Sequence, residues 1–126
     1  MSLNQNENMI PAVSPSLSTV FETKYGSVFQ SDKENCWYIS FSGETKKFDY
    51  RCLLQLKKSV YKINIHQLLL TQSESADLEI ISICACAHCY VLTYLELIAL
   101  KELLQGTFVM LELNHIIYDR LYRIVA

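Results

Sequence analysis

The sequence predicts an α+β fold: two antiparallel β-hairpins, each followed by a helix in a pseudo-duplicated ββα arrangement, and then a long C-terminal helix. Three observations carry this. Trp37, Ile39 and Phe41 alternate with Tyr38, Ser40 and Ser42, the period-2 pattern of a strand with one apolar face. Leu53, Leu56 and Val60 follow Asp49 at helical spacing, and Leu97, Leu100 and Leu104 follow Thr93 in the same way. The order of strand, turn, strand, cap and helix returns at an offset of 44, from Asp49 to Thr93.

Residues 1–24 are polar, rich in Asn and Ser, and contain Pro11 and Pro15, so they are expected to form a flexible arm. Residues 25–126 are expected to form one domain. In its first ββα unit, 25–64, Val28 opens a short strand and Asp32-Lys33-Glu34-Asn35 is turn material. Ser42-Gly43-Glu44-Thr45 turns the chain after Phe41, residues 46–48 return, and Asp49 can accept the free amides of a first helical turn. Residues 63–77 read as a helix end followed by a polar loop. The second unit, 78–106, has a strand over 78–85, a turn over 86–89, a return strand over 90–92 and Thr93 as N-cap. Gly106 is a natural helix stop, and Thr107 can cap a C-terminal helix over 108–124, with Val109, Leu113, Ile116, Ile117, Arg120 and Ile124 in an amphipathic pattern.

The hairpin and the run LTYLELIALKELLQG resemble a small uncharacterised bacterial family of Bacteroidetes type over most of the chain after Tyr25. In that family the first hairpin often carries paired cysteines, but Cys36 here has Ser31 where a partner is sought. The resemblance implies no activity.

Composition narrows the function classes. A chain of 126 residues with 51% hydrophobic and 19% charged residues suits one domain with one core. The net charge of −2, with Lys and Arg dispersed, lacks the basic footprint of a nucleic-acid binder. The longest uncharged stretch, 80–95, is shorter than the ~20 apolar residues of a membrane span. Gly26, Gly43 and Gly106 are isolated, so no phosphate-binding loop is present. The start lacks a secretory signal and the cysteine count of five is odd, which together predict reduced thiols and a cytoplasmic location.

The densest chemistry is Cys84-Ala85-Cys86-Ala87-His88-Cys89. Thiolate and imidazole are zinc's preferred ligands, so Cys84, Cys86, His88 and Cys89 are the candidate metal ligands or redox thiols. Four ligands from one tight hairpin make an awkward tetrahedral cage, and packing as small hydrophobes is favoured. His88 beside Cys89 points to the opposite strand face, which argues against a catalytic dyad. His66 and His115 could approach a thiol only through the fold. Glu112 and His115 match one half of a di-iron motif that requires a second copy, and read instead as a solvated helix face. Asp119 and Arg123 could form an exposed helical pair. Tyr50 and Tyr94 are expected at the core edge, and Tyr118 and Tyr122 at the core edge or on a self-association surface.

Ile80, Cys84 and Cys86 make the second hairpin apolar on both faces, so a cover is expected there. The sequence therefore points to a cytoplasmic, non-enzymatic binding or scaffold module that forms a homodimer through the Cys84/Cys86 region or the last helix. It has no catalytic or cofactor-binding residues assigned, a protein as its possible partner, and neither nucleic acid nor membrane among its partners. The alternative is a thiol-based metal-binding or redox protein using the 84–89 hairpin, with zinc as the metal.

Overall fold

The computed structural model describes residues 17–71 and 80–125, with the backbone path alone at 68, 69, 71 and 118–125. The order is β1 (Leu17–Thr23), β2 (Gly26–Ser31), β3 (Cys36–Phe41), β4 (Glu44–Phe48), α1 (Tyr50–Tyr61), α2 (Ile65–Thr71), β5 (Ile81–Ala85), β6 (His88–Leu92) and α3 (Tyr94–Val125). The fold is α+β: β1 to β4 form an antiparallel meander in sequence order, and β5 and β6 form a separate hairpin.

Part of the expected arm is a strand. Leu17 to Thr23 pairs along β2, with Leu17 opposite Ser31 and Thr23 opposite Gly26. Val20 is buried and Phe21 packs against the core, which is what draws this segment onto the sheet. The rest of the expected arm, 1–16, the end of the expected loop, 72–77, and the first two residues of the expected strand, 78–79, lie outside the described residues, while 65–71, expected as a helix end and loop, is a separate short helix.

Local chemistry accounts for the other boundaries. Ser42 and Gly43 both have positive φ, the mirror-image turn that matches strand twist in a two-residue hairpin. Asp49 accepts a hydrogen bond from the Cys52 amide at 2.8 Å and starts α1. Thr93 and Glu96 form a reciprocal capping box: the Thr93 amide donates to Glu96 Oε1 at 3.0 Å, and the Glu96 amide donates to Thr93 Oγ1 at 3.2 Å. Asn64 accepts from the Gln67 amide at the start of α2.

Gly106 does not stop a helix. Residues 94–125 form one continuous helix, so the expected break before a separate helix at 108 is absent. A Cβ at Gly106 would overlap the Phe21 ring, so the glycine seats that ring against the helix backbone. Thr107 caps nothing; its hydroxyl donates to the Leu103 carbonyl at 2.7 Å within the helix. The two expected helical stripes pack together, Leu53, Leu56 and Val60 of α1 with Leu97, Leu100 and Leu104 of α3, and the same core takes in Val28 and Ile39 of the meander and Ile83 and Leu92 of the hairpin.

Candidate functional site

The sequence-predicted cluster is resolved into two covalent pairs. In the register of β5 and β6, Ala85 lies opposite His88 and Cys84 lies opposite Cys89, so the turn is the two residues Cys86 and Ala87. Direct opposition brings the Cys84 and Cys89 Cα atoms to 4.0 Å, and their sulfurs are bonded. Cys86 sits at the tip with φ 56° and is bonded to Cys52 in the first turn of α1, across a sequence separation of 34. The expectation of reduced thiols is therefore corrected for four of the five cysteines. Cys36 remains a free, buried thiol.

The tip is further tied to α1. The Cys86 amide donates to Gln55 Oε1 at 3.2 Å, and the Ser59 hydroxyl donates to the Cys84 carbonyl at 3.4 Å. His88 reaches the meander, where its Nε2 lies 2.7 Å from the Lys47 carbonyl. A carbonyl only accepts, so Nε2 carries the proton. The imidazole also rests against Phe48, with ring centroids 4.9 Å apart. His88 thus joins β6 to β4. The four candidate ligands Cys84, Cys86, His88 and Cys89 are engaged in two disulfides and this bridge, and among the described residues no group of three or more His, Cys, Asp and Glu side chains could hold a metal.

The outer face of the hairpin is open. Ser82, Cys84, Cys89 and Val91 are all exposed, while Ile83, Ala85, Tyr90 and Leu92 point into the core. The expected apolar cover over Cys84 is not supplied by any described part of the chain. The Tyr90 hydroxyl is buried and unpartnered among the described residues, and burial first, then the charge of Glu44, raises its pKa.

A second candidate is a groove of about 660 Å³ between the meander, α1 and the middle of α3. Trp37, Tyr50 and Phe108 line it together with Gln30, Lys57 and His115. Trp37 donates to Gln30 Oε1 at 3.2 Å and lies 5.6 Å from the Tyr50 ring, while the Lys57 ammonium sits 4.6 Å above Phe108. The half di-iron motif finds its place here: Glu112 and His115 both line the groove from α3. Of the expected core-edge tyrosines, Tyr50 is half exposed and Tyr94 is buried. The side chains of Tyr118, Asp119, Tyr122 and Arg123 lie outside the described residues.

Beside the β2–β3 turn, Glu34 accepts a hydrogen bond from the Tyr38 hydroxyl and lies 3.9 Å from Lys47. The Tyr38 bond first, and the Lys47 charge second, hold the Glu34 carboxyl below the usual carboxylate range. The same bond pushes Tyr38 upward. The Cys36 thiol is raised mainly by burial.

From Glu112 to Ile117 every residue of α3 is exposed. Val109, Leu113, Ile116 and Ile117 are 64%, 44%, 45% and 48% exposed. At 100° per residue these four share a face roughly 100° wide, turned away from the groove side. No described helix is long and apolar enough to cross a membrane. Neither a protein-family model, nor a curated protein, nor a solved structure matches this chain.

Proposed function

We propose that this protein is a non-enzymatic binding module that self-associates as a homodimer through the C-terminal half of α3. The observation that carries the reading is the apolar stripe Val109, Leu113, Ile116 and Ile117, left open on a helix whose first half packs one face into the core. A helix does not keep such a stripe in water without cost, and packing two copies along it removes that cost for both. The aromatic groove on the other side of the same helix remains free for a protein partner. Sedimentation equilibrium of the oxidised full chain tests this. A dimer at micromolar concentration that becomes a monomer on Leu113→Glu with Ile117→Glu supports it, and a wild-type monomer at high micromolar concentration refutes it.

The pseudo-duplicated ββα arrangement belongs to the same reading. It is supported by buried positions that correspond at the offset of 44: Ile39 with Ile83, Phe48 with Leu92, and Leu53 with Leu97. The expected cytoplasmic location rested on reduced thiols, and two disulfides weigh toward an oxidising compartment.

A further inference from the structure

We propose that Cys84–Cys89 is a reversible thiol-exchange site whose substrate is a dithiol, while Cys52–Cys86 is a permanent staple. The two bonds do different things to the chain. Cys52–Cys86 joins α1 to the hairpin tip across a separation of 34, whereas Cys84–Cys89 spans a separation of 5 within one hairpin. That hairpin is already closed by its own register, by the Gln55 bond to the Cys86 amide, and by the His88 bridge to Lys47. Its inner residues Ile83, Ala85, Tyr90 and Leu92 are buried on the face opposite the outer sulfurs, held by packing that the sulfurs do not share. As a structural staple the second disulfide is therefore the lesser of the two, closing only a short loop, and it can open while the fold stands.

Access points the same way. Cys84 and Cys89 are both exposed on the open face of the two-stranded sheet, whereas in the other bond only the tip residue Cys86 is exposed and Cys52 is half-buried and packs against the core. Exchange requires a thiolate to reach a sulfur along the S–S axis, and the open face admits it. A dithiol attacks one sulfur through its thiolate to form a mixed disulfide, and its second thiol then displaces the protein. The protein S–S bond breaks and an S–S bond forms within the dithiol. Two electrons pass to the protein, and the two dithiol protons end on Cys84 and Cys89.

The test is a redox titration of the full chain in graded mixtures of reduced and oxidised dithiothreitol, quenched by alkylation and read by peptide mass spectrometry. Cys84 and Cys89 should take label at a reduced-to-oxidised ratio about tenfold lower than Cys52 and Cys86. Far-ultraviolet circular dichroism and the emission of Trp37, the single tryptophan, should stay unchanged through that first step. In Cys84→Ala with Cys89→Ala the early step should vanish while the fold remains. Labelling of all four cysteines together, loss of the fold with the first step, or an early step that survives in the double variant would each overturn the proposal.

Discussion

Replacing the Cys52–Cys86 pair by alanine should cost the protein more stability than replacing Cys84–Cys89, and the loop lengths set the gap. In the chain-entropy description, a cross-link removes freedom from the unfolded chain in proportion to the logarithm of the loop it closes. A separation of 34 corresponds to about 3.8 kcal/mol, and a separation of 5 to about 2.1 kcal/mol. With a urea slope of about 1.5 kcal/mol/M, the midpoint falls by about 2.5 M for Cys52→Ala with Cys86→Ala, and by about 1.4 M for Cys84→Ala with Cys89→Ala. Alanine keeps the half-buried Cys52 position apolar, so a new buried hydroxyl does not enter the difference. The assay is equilibrium urea unfolding of the oxidised proteins, followed by Trp37 emission and circular dichroism together. Equal losses, or a larger loss for the hairpin pair, would refute the reasoning, because the staple between α1 and the hairpin tip would then not be the bond that restrains the unfolded chain.

Other outcomes follow from single residues. Gly106→Ala raises intrinsic helix propensity by about 1 kcal/mol, yet its methyl would overlap the Phe21 ring; a net loss of about 1–2 kcal/mol is expected in urea unfolding, and Phe21→Ala in the same background should remove the clash. Tyr90→Phe removes a buried, unpartnered hydroxyl and should stabilise by about 1 kcal/mol at pH 7. Because the folded pKa of Tyr90 is raised above its unfolded value, its stabilising difference is complete below pH ~10 and is lost as pH rises through the folded pKa; the advantage of the Phe variant should therefore grow between pH 10 and 11. Ellman titration of the oxidised chain should find one thiol per chain in urea, Cys36, and a much slower reaction in the folded state, since burial raises that thiol and shields it. For Glu34 the sign is opposite: its lowered pKa stabilises above the ordinary carboxylate value and is lost as pH falls through the folded pKa, so Tyr38→Phe should reduce the acid sensitivity of unfolding below pH ~4.5.

The elements whose chemistry is local were legible in the sequence. Asp49 and Thr93 cap helices because a carboxylate or hydroxyl at the end of an extended strand meets free amides three residues on, and that needs no distant partner. The alternation around Ile39 likewise gives both strand and face. Gly106 was misread because the same missing Cβ serves two purposes. It relieves a left-handed helix stop, and it also admits a ring against a helix, and only the arrival of Phe21 decides between them. Phe21 was hidden in turn by the Asn- and Ser-rich stretch before it, which made 17–23 look like more of the same arm. Of the two cysteine pairs, one was within reach. Placing the turn at 86–87, as Ser42 and Gly43 do in the first hairpin, sets Cys84 opposite Cys89. Cys52–Cys86 joins a helix to a turn with no local pattern relating them, and the odd count concealed that four cysteines pair while Cys36 is buried alone.

The continuity of α3 through Gly106 also has a mechanical side. Its 32 residues make a rod of about 48 Å, of which about 28 Å lies beyond Gly106. Phe21 bears on the rod at that glycine like a fulcrum, and the Thr93 capping box holds the near end to the hairpin. A tilt of roughly 10° about this pivot would carry the far end through about 5 Å, so small repacking of β1 beneath the ring becomes a large displacement at the tip. Phe21 thereby sets the aim of the lever as well as filling space beneath it.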